Sequence, residues 1–112
     1  MALVTANLDG VVVVEIPGPS LDASNAKDFK NDVAPLLANG AKVIFDMERL
    51  GFVDSSGLGS ILSCLRQLNA SGGDLKLCGM TKPVRALFEL VRMHRIFDIY
   101  ESREQALAAF SA

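Results

Sequence analysis

Residues 43–78 read VIFDMERLGFVDSSGLGSILSCLRQLNASGGDLKLC and change their pattern three times. An apolar run within Lys42–Met47 predicts a buried strand, and apolar residues at three- and four-residue spacing predict a helix from about Ser56 to Ala70. Gly72-Gly73 ends that helix, and Leu75–Cys78 is short and apolar enough to form a second strand. A strand, a helix and a strand in this order favour a parallel sheet covered by helices, which is the α/β class of fold.

The chain before this stretch begins with the pattern of a β-hairpin. Residues 3–8 and 11–16 are short runs that favour strands, and they are joined by Asp9-Gly10. This pair is a strong signal for a two-residue turn, because both residues tolerate a positive φ. Pro17-Gly18-Pro19 then stops the second strand.

A first helix is predicted from about Ala23 to Asn39, with Ser20 or Asp22 as its N-cap. Pro35 is awkward inside this helix, because proline removes one backbone hydrogen bond and clashes with the preceding turn. We therefore expect a kink or an early end at that point. The apolar positions of the helix follow three- and four-residue spacing along one stripe: Ala26, Phe29, Val33, Leu36 and Leu37.

Three more elements are predicted downstream. Thr81 and Pro83 suit the start of a helix, and Phe97–Tyr100 fits a last edge strand. Ser102 and Gln105 have the form of a capping box at the start of a C-terminal helix. The complete order is ββαβαβαβα, an α/β fold with a mixed, mainly parallel sheet of about five strands and with four helices.

The composition predicts one cytoplasmic globular domain. The 112 residues fit a single domain over 1–112, and the net charge of −2 comes without the clustered Lys and Arg of a nucleic-acid surface. The apolar runs are too short to insert into a membrane, and the N-terminus lacks the pattern of a signal peptide. Cys64 and Cys78 fit buried structural thiols, and the sequence indicates no metal site and no cofactor.

Asp54-Ser55-Ser56-Gly57 is the segment that most needs an explanation. It lies where a strand leads into a helix, and ligands usually gather at that end of an open α/β sheet. One interpretation is local, with Asp54 or Ser55 capping the helix and the glycine easing a tight turn. The other is a phosphate on Ser56, which the free N–H groups and positive dipole of a helix N-terminus would tolerate. The residues by themselves leave both interpretations open.

A catalytic role for Ser56 is disfavoured by the lack of a base. Serine hydrolases need a positioned base, and the single histidine, His94, lies between Arg92 and Arg95 in the sequence. The loop also lacks the Gly-x-Ser-x-Gly pattern of a nucleophile elbow and the Gly-Lys-Ser/Thr of a P-loop. We therefore do not expect Ser56 to be the nucleophile of a hydrolase.

The segment from Val43 to Gly59 resembles the signature of the STAS domain, and more narrowly that of the anti-sigma-factor antagonists. The similarity extends to Leu21-Asp22, to Pro83–Leu90 and to the closing Glu104–Leu107. The resemblance implies the STAS fold, and it makes Ser56, the second serine of the loop, the site of phosphorylation. It also implies a partner-binding surface that consists of Asp22, Asp54, Ser55, Ser56, Gly57, Leu58 and Gly59.

The same resemblance implies a partner switch, in which this protein is a kinase substrate and a binding module and is not an enzyme. The unphosphorylated antagonist binds an anti-sigma factor that is also a serine kinase, and so frees the sigma factor. Phosphorylation of Ser56 ends this complex, and a metal-dependent serine phosphatase restores the serine. A monomer is the expected free state. The alternative is a stand-alone STAS subunit of a membrane lipid ABC transporter, which would share the fold, although an intact second serine favours the switch.

Two segments depart from the family pattern. Gly18–Asp22 is one residue longer than usual and rich in proline, which leaves the choice of partner and the role of Asp22 open. Val91–Arg95 replaces a turn that contains glycine in many relatives. We interpret it as a solvated helix end, because cations suit helix C-termini, with His94 as an alternative pH sensor or partner contact.

Overall fold

The computed structural model describes residues 1–111 and confirms the predicted α/β order, with two short strands added. The strands are β1 (Val4–Leu8), β2 (Val11–Glu15), β3 (Ser20–Leu21), β4 (Lys42–Asp46), β5 (Phe52–Val53), β6 (Asp74–Cys78) and β7 (Asp98–Tyr100). The α-helices are α1 (Ala26–Val33), α2 (Ser55–Ala70), α3 (Lys82–Leu90) and α4 (Arg103–Ser111), and two 3-10 turns span Ala34–Leu36 and Met93–Arg95.

Five strands form one mixed sheet in the order β1-β2-β4-β6-β7. β1 and β2 are antiparallel, and the turn between them has Asp9 at φ 53° and Gly10 at φ 80°, as the Asp-Gly pair predicts. β2, β4, β6 and β7 are each parallel to their neighbours. Parallel neighbours need long crossover connections, and α1, α2 and α3 lie in the three connections between these strands.

The helices cover both faces of the sheet. Successive residues of a strand point to opposite faces, so Val14, Phe45 and Leu77 belong to the main core, together with apolar residues of α1, α2 and α3. α4 covers the other face, where a smaller cluster consists of Val11, Val13, Ile44, Cys78 and Ala106. The fold therefore has three layers, with three helices in front of the sheet and the C-terminal helix behind it.

The predicted start of the first helix is wrong. α1 begins at Ala26 and not at Ala23, and its N-cap position is Asn25, which makes no capping hydrogen bond through its side chain. Ser20 and Asp22, the predicted caps, bind each other instead, because Ser20 Oγ donates to Asp22 Oδ2 at 2.8 Å. Ser20 therefore belongs to β3, and Asp22 belongs to the loop between β3 and α1.

The predicted interruption at Pro35 is confirmed. α1 ends at Val33, and the 3-10 turn Ala34–Leu36 continues the chain. Pro35 has no N–H with which to extend an α-helix, and its ring conflicts with the preceding turn.

β3 and β5 form a small parallel sheet that the sequence did not predict. Ser20 pairs with Phe52, and Leu21 pairs with Val53. Each strand has two residues, which is too short for an alternating pattern to be recognised in the sequence. The pairing ties the segment before α1 to the segment before α2.

The C-terminal helix is fixed at its first turn. Gln105 N donates to Ser102 Oγ at 3.1 Å, which is the first bond of the predicted capping box. The reciprocal bond differs from the prediction, because Gln105 Oε1 accepts from Glu101 N at 3.0 Å and not from Ser102 N. Arg103 Nη2 donates to the buried carboxylate of Asp46 at 2.8 Å. This ion pair joins α4 to the end of β4.

Both cysteines are free and buried, as the sequence predicts. Removal from water raises the pKa of the Cys64 thiol to about 11 and that of the Cys78 thiol to about 12. Because the thiolate is the reactive form, both groups are inert in the folded protein at neutral pH.

We therefore expect both thiols to resist modification until the chain unfolds. At pH 8, the thiol reagent DTNB should leave Cys64 and Cys78 unmodified in native buffer and should titrate both in urea. Prompt reaction of either cysteine in native buffer would contradict the burial of its thiol.

Candidate functional site

Asp54 organises the start of α2. It occupies the N-cap position with an extended backbone, and its Oδ1 accepts a hydrogen bond from Gly57 N at 2.9 Å. Its Oδ2 accepts from Ala23 N at 3.0 Å, and Asp54 N donates to Leu21 O at 3.2 Å. The carboxylate thus caps one helix and also holds the loop that leads into another, which confirms the predicted capping role of Asp54.

Gly57 allows α2 to lie against β3. A Cβ at this position would be 2.1 Å from Leu21 O and 3.0 Å from Val53 Cγ1, so any side chain would push the two segments apart. Gly59 differs, because no atom lies within 4 Å of a Cβ placed there. The packing therefore requires glycine at position 57 and does not require it at position 59.

Ser55 and Ser56 are the first two residues of α2, and both are exposed. Their N–H groups lie in the first helical turn, where the helix itself provides no acceptor. α2 has 16 residues, and the positive end of its dipole lies at these two serines. The hydroxyl of Ser56 is thus accessible to another protein, in a position where a negative group is tolerated.

Asp22 lies in the loop that Asp54 holds. Ser24 N and Ser24 Oγ donate to Asp22 Oδ1 at 2.9 and 2.5 Å, and Ser20 Oγ donates to the other oxygen at 2.8 Å. These bonds stabilise the charged form and hold the pKa of Asp22 below its usual value, with the Ser24 hydroxyl as the largest cause. Asp22 therefore shapes its own loop, and together with Asp54 it adds negative charge to this surface.

The segment Gly18–Asp22 packs against the residues that precede α2. A Cβ on Gly18 would be 2.0 Å from Arg49 O, so glycine is required there. Pro19 O accepts a hydrogen bond from Gly51 N at 2.8 Å, and the β3–β5 pairing begins at the next residue. Segments 18–22 and 49–53 together form the platform that carries the two serines. The departure from the family pattern in Gly18–Asp22 thus lies within this platform.

The predicted partner-binding residues come together around the start of α2, but they differ in exposure. Gly57 and Leu58 are buried, and Leu58 belongs to the main core. These two residues therefore pack beneath the surface and hold the loop in place. The others are at least partly accessible: Asp22, Asp54, Ser55, Ser56 and Gly59.

Phe52 is a surface residue of this region that the sequence analysis missed. Its side chain is 57% exposed, whereas the next residue, Val53, is buried. The alternation of a strand explains the difference, because Val53 faces inward and its neighbour faces outward. Two residues of strand give too weak a pattern to predict this, and an aromatic residue is more often assigned to a core.

The basic segment after α3 is confirmed as an exposed helix end. Arg92 follows the helix at φ 62°, and Arg92 and Arg95 are both exposed. His94 is partly buried, and its Nδ1 has no hydrogen-bond partner within residues 1–111. A role for His94 as a pH sensor or partner contact stays a prediction.

Other features of residues 1–111 lie outside this loop. A cleft of about 520 Å³ between α3 and the end of β7 is lined by Lys82, Arg85, Glu89 and Tyr100 among others, and it does not include the two serines. Within the same residues, no group of three or more His, Cys, Asp and Glu side chains is placed to hold a metal ion. No helix of this part of the chain has the length and apolar character needed to cross a membrane.

Comparison with known proteins identifies the family. Residues 2–106 match the model of the STAS domain, and the chain belongs to this family. A protein of Bordetella bronchiseptica, named as a candidate anti-sigma factor antagonist, is 32% identical over 111 residues, which cover 98% of this chain and 95% of that protein.

Solved structures confirm the STAS fold. A structure from Thermotoga maritima, described as a candidate anti-sigma factor antagonist, gives a TM-score of 0.90 at 27% identity and covers 98% of this chain and 95% of its own. The anti-sigma factor antagonist SpoIIAA in its unphosphorylated form gives a TM-score of 0.78 at 26% identity, covering 98% and 96% of the two chains. The phosphorylated form of SpoIIAA, from Bacillus, gives 0.70 at 25% identity, covering 97% and 99%.

Replacing each glycine with alanine tests the packing at the start of α2. Gly57→Ala should lower the free energy of unfolding by about 1–3 kcal/mol, which is the usual cost of forcing an extra group into a packed site. Gly59→Ala, the matched control, should leave it unchanged or raise it by up to about 1 kcal/mol, because alanine favours a helix and open space surrounds the position. Urea unfolding followed by circular dichroism measures both, and equal midpoints for the two variants would contradict the close approach of α2 to β3.

Proposed function

We propose that this protein is an anti-sigma factor antagonist whose binding is switched off by phosphorylation of Ser56. The unphosphorylated form binds an anti-sigma factor and thereby releases a sigma factor. The observation that carries the proposal is the position of Ser56, which is exposed in the first turn of a long helix on a loop held by Asp54. The names of similar proteins supply the class of partner.

The geometry favours a phosphate that the fold itself accepts. A negative group in the first turn of a helix gains about 0.3–1 kcal/mol from the dipole, and free N–H groups are available to it. The nearby carboxylate of Asp54 opposes this gain, although each of its oxygens already accepts a backbone N–H. Both contributions are surface charge effects that are small relative to the stability of a folded domain, so the modified domain keeps its structure and the effect of the phosphate falls on the partner.

The effect on a partner that covers this loop is large. A phosphoserine carries between about 1.5 and 2 negative charges at neutral pH. Removing such a group from water costs several kcal/mol unless the partner offers a matching cation. Because about 1.4 kcal/mol corresponds to a tenfold change in affinity, the cost lowers binding by orders of magnitude.

Other proteins supply the chemistry of the switch. The anti-sigma factor acts as a serine kinase, which moves the γ-phosphoryl group of ATP to Ser56 Oγ and takes up the hydroxyl proton on its own base. A metal-dependent serine phosphatase hydrolyses the phosphoserine and restores the binding form. A relative of known structure in both unphosphorylated and phosphorylated forms supports such a cycle.

Mapping of the phosphate tests the proposal. After incubation with the cognate anti-sigma kinase and ATP, mass spectrometry should find one phosphate per chain, on Ser56. Ser56→Ala should abolish labelling, whereas Ser55→Ala should retain it, and the two variants are matched because both serines are exposed in the same helical turn.

Phosphate on another residue, or labelling that persists in Ser56→Ala, would contradict the proposed switch. A chain that binds no anti-sigma kinase and takes up no phosphate would favour the transporter subunit instead.

A further inference from the structure

We infer that Phe52 is the apolar anchor of the partner surface beside Ser56, and that the partner offers an apolar pocket for its ring. The inference rests on the proposed function, because it concerns the partner that phosphorylation of Ser56 displaces. It assigns binding affinity to Phe52 and assigns control of that binding, through phosphorylation, to Ser56.

Phe52 is separated along the sequence from the other exposed large apolar residues within residues 1–111. Across residues 9–89, all of which the structure describes, it is the only large apolar side chain that is exposed. The others lie towards the two ends of the chain: Val4, Leu8, Leu90, Val91 and Ile96. A single exposed apolar residue needs no explanation in general, so the argument depends on where this one lies and how it is held.

The ring of Phe52 is presented by a rigid piece of backbone. Phe52 pairs with Ser20 in the β3–β5 sheet, and the preceding Gly51 N donates to Pro19 O at 2.8 Å. The following Val53 is buried in the main core. An aromatic side chain on fixed backbone loses little entropy when it binds, which is what the strongly contributing residues of interfaces require.

Phe52 is also next to the phosphorylation site. It lies four residues before Ser56, and β3, which pairs with it, is also the strand against which α2 packs at Gly57. A partner that covers both Ser56 and the β3–β5 pairing would therefore contact the ring of Phe52.

The local charge explains why an apolar anchor matters for the switch. Asp22 and Asp54 already carry negative charge beside the serines, so a partner of the unmodified loop tolerates two carboxylates. Added negative charge alone then lowers the affinity of the partner only weakly. The affinity falls strongly when water is excluded from the interface, because the phosphate must then lose its water of hydration on binding. Packing of the Phe52 ring into a pocket expels water from this part of the interface.

The test compares Phe52→Ala with Leu90→Ala, in which an apolar residue that is 80% exposed is removed outside this platform. The probe is the anti-sigma kinase that phosphorylates Ser56 of the wild type. Phe52→Ala should weaken its binding at least about 30-fold, as expected for a central interface residue. Phe52→Ala should also lower kcat/KM for phosphorylation of Ser56 by a similar factor with little change in kcat. Leu90→Ala should leave both the affinity for the kinase and kcat/KM unchanged.

The outcomes separate the inference from the proposed function. If wild type is phosphorylated on Ser56 and Phe52→Ala binds and reacts equally well, the inference is wrong and the proposed function stands. If wild type neither binds the kinase nor takes up phosphate, both are wrong.

Two further measurements check that the ring is free for a partner. The thermal midpoint of Phe52→Ala should stay within a few degrees of wild type, and a larger fall would overturn the inference by showing that the ring is part of the fold. Wild type that self-associates in analytical ultracentrifugation, and loses this property in Phe52→Ala, would overturn it in favour of a second copy of the chain.

Discussion

The two oxygens of the Asp54 carboxylate hold together the loops from which the candidate site is built. One accepts Gly57 N and so caps α2, and the other accepts Ala23 N in the loop before α1. Both bonds require an acceptor, and an asparagine offers only one acceptor oxygen, so aspartate is the residue type that serves both loops. The short pairing of β3 with β5 acts on the same two segments. Together they give the surface a fixed shape in the absence of any partner.

A fixed surface favours a switch that works by exclusion. Ser56 lies where the dipole of α2 offsets part of the charge of a phosphate. We therefore expect phosphorylation to leave the conformation of the domain unchanged. In the proposed switch, the partner lacks this compensation and must remove water from the phosphate to bind. The neighbouring Phe52 favours such a dry contact, because its exposed ring contributes to binding only when it is covered. Recognition and regulation then depend on different residues of one surface.

The parts of the fold that could be predicted from the sequence depend on local chemistry. Asp9-Gly10 favours a particular turn, Pro35 interrupts a helix because it lies beyond the first turn, and Ser102 caps the N–H of Gln105 within one turn. The start of α1 and the β3–β5 pairing depend instead on contacts between segments about thirty residues apart. No local pattern shows that Ala23 N donates to the carboxylate of Asp54.

The candidate site also combines features that the local sequence predicts with features that it does not predict. The sequence offered Asp54 or Ser55 as the cap of the helix, and the structure assigns the cap to Asp54. The choice of Ser56 over Ser55 rests on the resemblance to a family and stays a prediction. Leu58 was grouped with the partner surface although its spacing to Ile61 and Leu65 indicates the buried stripe where the structure places it.

The central claim is that phosphate on Ser56 blocks a partner without disturbing the domain that carries it. The most direct measurement is calorimetric titration of the anti-sigma factor with unmodified protein and with protein that carries phosphoserine at position 56, together with the thermal midpoint of each form. The account predicts that affinity falls at least about 100-fold, equivalent to about 2.7 kcal/mol, while the midpoint moves by only a few degrees. Equal affinities, or a loss of affinity that accompanies a collapse of the midpoint, would contradict it.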